Sequence, residues 1–273
     1  MRQVCAILNG VFRFGIKSIR LTLQQLQSAS RIDPPSGSLR VTIPGSVEAW
    51  EISVIYFRAG YTPLDFQSAS DYDVRFLLEA SLAIKCPSIP LQLVGSKKIQ
   101  EFITHGDLLE QLLKKAAANG GEPFSEDDLA SIRKTWMPMW SLDKDRGLGA
   151  QLARKNYKNL VLKPQREGGG NNIYHDYIPG FLDALPAAEY EAWIAMELIN
   201  TPSAANVMIK TGDSKGTLSS TVSELGIYGW SLFNGSSCGE SNVGGWLLRT
   251  KGKESDEGGV AVGISVLDSP LLM

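Results

Sequence analysis

Lys163, Glu167 and three consecutive glycines, Gly168, Gly169 and Gly170, crowd into Leu160-Val-Leu-Lys-Pro-Gln-Arg-Glu-Gly-Gly-Gly-Asn-Asn-Ile-Tyr174. Glycines cost conformational entropy when ordered. In exchange, the missing side chains let successive backbone N–H groups wrap an anion. A lysine adds a compact point charge, and a carboxylate is the hard oxygen ligand that Mg²⁺ prefers. Together these residue types suggest a metal-bound polyphosphate as readily as a hairpin tip, whereas glycine triplets alone are usually a hairpin tip between solvated charges. The spacing is not G-x-x-x-x-G-K-[ST], and no G-x-G-x-x-G follows a strand elsewhere. A nucleotide site here belongs to another class.

Further residues with chemistry to offer sit at the ends of expected elements. Arg58 follows Ile52–Phe57, an apolar and β-branched run expected as a central strand. Loops beyond a strand's carboxyl end are where open α/β sheets hold ligands, and an arginine there can clamp a carboxylate. A surface turn is the plainer alternative. Lys97 and Lys98 fall in the first turn of a helix expected to reach about Ala118, where the helix dipole disfavours cations unless an anion is near. Glu224 interrupts the apolar face of an expected strand, Thr221–Gly229, and a buried carboxylate needs a cation or metal. Arg249 and Lys251 share one side of a strand at period two and repel unless an anion lies between them. A second glycine loop, Glu257-Gly-Gly-Val-Ala-Val-Gly263, follows.

The elements that must position these residues read as follows. Leu160–Leu162 is a short buried strand stopped by Lys163-Pro164. Gly15–Leu23 and Leu39–Ile43 alternate as strands around the turn cluster Asp33–Ser38. Asp71–Cys86 predicts one amphipathic helix with Val74, Leu77, Leu78 and Leu82 as its stripe, capped by Ser70 or Asp71. Pro90–Val94 reads as strand, Ser125-Glu-Asp-Asp as a helix start, and Asp143–Lys158 as a charged helix. Trp193–Ile199 predicts a strand, Thr211–Ser220 a loop, and Asn234–Asn242 a polar hairpin loop.

Composition bounds the partners. Of 273 residues, 43% are apolar and 21% charged, and the net charge is −2, so nothing supports nucleic-acid binding through bulk charge. No apolar run reaches membrane-spanning length. Arg2, Arg13 and Lys17 interrupt the apolar stretches of Met1–Ile19, a poor secretory signal. Cys5, Cys86 and Cys238 are odd in number and far apart, and His105 and His175 are the only histidines, which argues against a disulfide framework or a zinc site. The expectation is a cytoplasmic protein without a nucleic-acid or membrane partner.

Beyond the glycines, K-P-Q-R-E-G-G-G-N-N-x-Y resembles the glycine-rich loop of eukaryotic-type glutathione synthetases, members of the ATP-grasp superfamily. Further stretches resemble the same family: Y-F-R-x-G-Y, Q-L-x-G-x-K-K, M-E-L-I, S-E-L-G-I-Y-G, and L-L-R-T-K with E-G-G-V-A-x-G. The resemblance implies an α/β and α+β chain: an ATP-grasp fold with an α/β substrate-binding domain, residues 1–95, and an ATP-grasp domain, 96–273. A glycine-rich lid would lie around 125–220. It implies ATP- and Mg²⁺-dependent ligation of γ-glutamylcysteine to glycine, giving glutathione, in a homodimer. By position it puts Lys97, Lys163, Gly168, Gly169, Gly170, Asn171, Asn172, Tyr174, Met196, Glu197, Ile199, Glu224 and Lys251 on the nucleotide. Arg58, Tyr61, Arg249, Val260 and Ala261 fall on substrate, Glu167 on Mg²⁺, and Arg249 and Lys163 on the chemistry itself. Ala59 and Val262 depart from the family pattern, which commonly has Asp and Ala there. Family members are longer, and the part before the match carries an E-x-N metal motif that does not precede Arg58 here. A non-catalytic nucleotide-binding fragment or subunit is the alternative reading.

Overall fold

The computed structural model describes residues 14–143, 148–165, 170–210, 212, 214–235, 237–260 and 262–270. The chain divides into two compact units, Met1–Ser96 and Lys97–Met273.

In the first unit, α1 (Leu23–Ala29) leads into an antiparallel sheet of β1 (Ser30–Ile32), β2 (Leu39–Thr42) and β3 (Ala49–Ile52). β4 (Val54–Tyr56), α2 (Ala69–Ala80), β5 (Ile84–Cys86) and α3 (Ile89–Val94) follow. β2 alternates as its sequence predicts, with Leu39 and Val41 inward against Val74 and Leu78 of α2. Asp71 is buried, and its carboxylate accepts from Gln24 Nε2, Gln27 Nε2, Gln67 N and Ser68 N. Burial raises its pKa, but these donors outweigh burial and leave the net shift downward. One carboxylate thus caps α2 and ties α1 to it.

Several expectations for this unit are corrected. Residues 16–22 form no strand. The Thr22–Gln25 capping box satisfies first-turn N–H groups and starts α1. The helix expected over Asp71–Cys86 begins after Ser68 and stops at Ala80. Ser81 leaves the helical conformation and its hydroxyl donates to the Leu78 carbonyl. Ile84–Cys86 then pairs in parallel with β4, and Leu82 is exposed rather than part of the stripe. Pro87 favours extended backbone at Cys86, consistent with strand. Residues 90–94 are helix, with Pro90 in the first turn where its missing N–H costs nothing. The strand expected over Ile52–Phe57 breaks at Ser53, and Val54 and Tyr56 are exposed.

The second unit opens with α4 (Lys97–Thr104), α5 (Leu108–Ala118) and α6 (Glu126–Lys134). The single helix expected to reach Ala118 is two, because Gly106 turns the chain in the left-handed region (φ +58). α6 starts at Ser125-Glu-Asp-Asp as expected, and Ser125 caps it with Asp128 in a capping box. β6 (Met139–Ser141), α7 (Leu148–Lys155), β7 (Leu160–Pro164), β8 (Ile173–Tyr174), α8 (Tyr177–Ala184) and β9 (Trp193–Glu197) follow. α7 is shorter than the helix expected over Asp143–Lys158, and residues 144–147 lie outside the described residues. The sheet order is β6-β9-β7-β8, antiparallel throughout. Leu160 and Leu162 of β7 and Ala195 of β9 pack against Ala153 of α7 and Ile178 and Leu182 of α8.

A second antiparallel sheet joins β10 (Ala204–Met208), β11 (Thr217–Asn234), β12 (Ser237–Gly252) and β13 (Ser265–Asp268) in that order. Asn234–Asn242, expected as a loop, is mostly strand: β11 runs to Asn234 and β12 restarts at Ser237. The ladder between them slips at Tyr228/Gly229 and Leu232/Phe233, and bulges of this kind increase local twist. Among the described residues no helix is long and apolar enough to cross a membrane.

Candidate functional site

Lys163 sits near the carboxyl end of β7, where the buried run Leu160–Leu162 gives way to Pro164 and Gln165. The chain is next described at Gly170, whose φ of +86 suits glycine, and then enters β8. Glu167, Gly168 and Gly169 lie outside the described residues, as does Ala261.

Lys97 is the first residue of α4, and its Nζ donates to Gln100 Oε1 at 2.7 Å. Burial lowers its pKa and the Lys163 ammonium lowers it further. Burial also lowers the pKa of Lys163, and the nearby Glu257 carboxylate partly opposes that. Lys163 makes no hydrogen bond among the described residues. Two half-buried ammonium groups within electrostatic reach disfavour each other's charge, and an anion between them would relieve both. The donor set fits a polyphosphate.

A further set of contacts joins β8 to the second glycine loop, whose Glu257 carboxylate is felt by Lys163. Asn172 Nδ2 donates to Tyr174 Oη and to Glu257 Oε1, each at 3.0 Å. Burial pushes the Tyr174 hydroxyl up to about 12, so it stays protonated. Gly170, Asn172, Tyr174, Tyr177, Phe181 and Glu257 line an open cleft of about 620 Å³. Asn171 is half-buried beside them in sequence. Lys251 Nζ donates to the Ser255 carbonyl at 2.6 Å and the Asp256 carbonyl at 3.0 Å, bracing the loop that presents Glu257. Further along, the Val260 carbonyl accepts from Gly263 N, and the Gly259 carbonyl accepts from Ile264 N and Ser265 N.

β9 lies between β6 and β7, so Met196 stands opposite both Met139 and Val161. Glu197 stands opposite Leu160, and its N–H donates to the Pro138 carbonyl at 3.0 Å. Ile199 emerges past the strand end and is exposed. On the second sheet Glu224 is directly opposite Arg249, and the guanidinium donates to its carboxylate. Glu224 is mostly exposed, not the buried carboxylate expected, because this stretch of β11 faces solvent. Arg249 and Lys251 each have an oxygen partner of their own, the Glu224 carboxylate for Arg249 and loop carbonyls for Lys251.

In the first unit, the loop after β4 is tightly held. Asp65 Oδ2 accepts from Tyr61 N and Thr62 N, Gln92 Nε2 donates to the Gly60 carbonyl, and Tyr61 Oη donates to the Phe57 carbonyl. The Arg75 guanidinium stacks 3.9 Å over the Phe57 ring. Arg58 is exposed on this loop and makes no polar contact among the described residues.

The structure therefore puts Lys97 within electrostatic reach of Lys163 and Lys163 within reach of Glu257, and hydrogen-bonds Asn172 to both Tyr174 and Glu257. Sequence reasoning quoted Glu257 only inside a motif. The signal it missed was an acid immediately before Gly258-Gly259, at the root of a second glycine loop. Among the described residues no group of three or more His, Cys, Asp or Glu side chains could hold a metal ion.

Residues 11–272 match the family described as eukaryotic glutathione synthase, ATP binding domain. The chain is 38% identical over 264 residues to the chloroplastic glutathione synthetase of Solanum lycopersicum, covering 96% of this chain and 44% of that protein. It is 39% identical over 225 residues to the glutathione synthetase of Mus musculus, covering 81% of this chain and 45% of that one. The chain thus spans about half the length of the curated relatives it matches. In fold it resembles a glutathione synthetase like-effector from Globodera pallida, solved in apo form, with a TM-score of 0.61 and 20% identity. That superposition covers 94% of this chain and 49% of the other.

Proposed function

Since the chain belongs to the eukaryotic glutathione synthase family through its ATP-binding domain, we propose that it serves the ATP-dependent ligation of γ-glutamylcysteine to glycine. The observation that carries this reading is the Lys97–Lys163 pair, two half-buried ammonium groups within electrostatic reach of each other. The mixed helix-and-sheet architecture is read as an ATP-grasp fold, with a substrate-binding domain over 1–95, an ATP-grasp domain over 96–273 and a lid around 125–220.

In the reaction, a carboxylate oxygen of the dipeptide attacks the γ-phosphorus of ATP and ADP leaves. The amine of glycine then attacks the acyl carbon, phosphate departs and the amide forms. Negative charge accumulates on phosphoryl oxygens, so fixed cations contribute most to lowering the barrier. Lys97 and Lys163 hold that charge, with Gly168–Gly170, Asn171, Asn172 and Tyr174 around the phosphates and sugar. Met196, Glu197 and Ile199 lie along the base, and Glu224 and Lys251 complete the nucleotide contacts. Arg58 and Tyr61 grip the dipeptide. Arg249 steadies the reacting carboxylate by exchanging its contact with Glu224 for substrate, and Val260 and Ala261 line the acceptor side. Glycine loops close over the site because an acyl phosphate hydrolyses readily in water. Mg²⁺ enters the proposal as the companion of the phosphates, with Glu167 its ligand. A cytoplasmic homodimer is part of the same reading.

The test is ADP release by the purified chain with Mg-ATP, γ-glutamylcysteine and glycine, each omitted in turn. Release that requires both amino substrates and disappears in Lys163→Ala is the expected result. ATP binding without release would favour the non-catalytic reading, and no ATP binding at all would sink both.

A further inference from the structure

α4 and β7 are joined by contacts that the nucleotide reading does not use. The Lys98 backbone N–H donates to Gln165 Oε1 at 2.9 Å. The Lys98 ammonium donates to Asp143 Oδ2 at 2.6 Å and also contacts the Ser141 hydroxyl. Ser141 is buried and donates to the same Asp143 oxygen at 2.8 Å. Gln165 Nε2 is buried with no partner among the described residues. Adjacent lysines therefore have opposite fates. Lys98 is neutralised and anchored by a carboxylate, whereas Lys97 donates to the neutral carboxamide of Gln100.

The first N–H groups of a helix have no partner within it, and Gln165 satisfies one of those of α4. This fixes the start of α4 beside the end of β7, two residues from Lys163. We propose that Gln165 and the Lys98–Asp143–Ser141 cluster are positioning residues that hold Lys97 and Lys163 as a fixed pair for the phosphates of a nucleoside triphosphate. The inference rests on the nucleotide reading above. Like charges left to themselves separate, and binding would then have to gather them at an entropic cost. A preformed pair avoids reorganisation when the ligand arrives.

The test uses the full 273-residue chain with Gln165→Ala and Asp143→Asn. Displacement of a fluorescent ATP analogue gives affinities for Mg-ATP and for adenosine, and the quantity of interest is their ratio. Both variants should lose about ten- to thirtyfold in Mg-ATP affinity, the size of effect expected for an unmade buried hydrogen bond. Adenosine affinity should be unchanged. A merely structural role would lower both affinities together and leave the ratio intact, which would overturn the inference. If Gln165→Ala does not fold, as its melting curve would show, the near-isosteric Asp143→Asn carries the test. A wild-type chain that fails to bind Mg-ATP sinks the nucleotide reading and this inference with it. Wild-type binding with unchanged ratios sinks this inference alone.

Discussion

At the scale of single residues, Lys97 and Lys163 set the electrostatics of the candidate site. Both pKa values lie below the ordinary 10.5, chiefly through burial. Because the folded-state values are lowered, the unfolded chain binds more protons between the folded and the ordinary pKa, and stability of the free protein rises with pH across that window. Phosphate binding has the opposite dependence, since it needs both ammonium groups charged. Titrations from about pH 7 to about pH 10 should show Mg-ATP affinity declining before the ordinary lysine range is reached. An affinity constant up to that range would refute the lowered values. Lys163→Met should melt higher than wild type without nucleotide, because a buried charge is gone. The same substitution should weaken Mg-ATP by at least about thirtyfold, since it removes a desolvated partner of the phosphate. Calorimetry and thermal melts on one preparation check both halves.

At the scale of elements, the site depends on how β6, α7 and β7 pack. A Cβ on Gly149 of α7 would stand 2.0 Å from the Ser141 carbonyl oxygen, so only glycine lets the helix approach the end of β6 this closely. Gly149→Ala should destabilise by about 1–3 kcal/mol through overpacking, and a denaturant titration would measure it. Unchanged stability would mean that this backbone approach is not needed. Farther from the site, Arg133 of α6 clasps Glu110 of α5 with two bonds of 2.6 Å. Hydrogen bonding from Arg133 lowers the Glu110 pKa from 4.5 to about 2. A lowered carboxylate pKa contributes stability above the unfolded value and loses it as pH falls toward the folded one. Acid melts between pH 4.5 and 2 should therefore be steeper for wild type than for Glu110→Gln; parallel curves would show that the clasp contributes nothing.

At the scale of the whole molecule, the hairpin of β11 and β12 exposes Ile227, Trp230, Val243 and Trp246, each by about half or more. Exposed apolar side chains concentrated on one hairpin favour association. Paired Ile227→Lys and Trp230→Lys substitutions should reduce binding of an apolar dye and concentration-dependent assembly, measured by light scattering. No change in either would place the sticky surface elsewhere. In the first unit, β4 and β5 form a two-stranded parallel sheet with Val54, Tyr56 and Ile84 exposed, although parallel sheets are ordinarily covered on both faces. These open surfaces belong to a chain that spans about half the length of its relatives.

The sequence by itself determined the family, because long runs such as Lys163–Tyr174 and Leu247–Gly263 carry chemistry in their order. It also determined elements whose causes are local. The apolar run Leu160–Leu162 is a buried strand, Ser125 caps a helix three residues before Asp128, and Leu39 and Val41 alternate inward. Tertiary structure decided what depends on distant partners. Ile84–Cys86 continued the helical pattern in sequence yet became strand, paired with Val54–Tyr56 across some thirty positions. The register of β11 and β12 put Glu224 opposite Arg249 and left it exposed. Packing of α4 on β6 and β7 separated the roles of Lys97 and Lys98, and the approach of two loops brought Glu257 to Asn172. Periodicity and capping act over a few residues, whereas register, burial and charge pairing are set by residues far apart in the chain. Only the folded arrangement decides those.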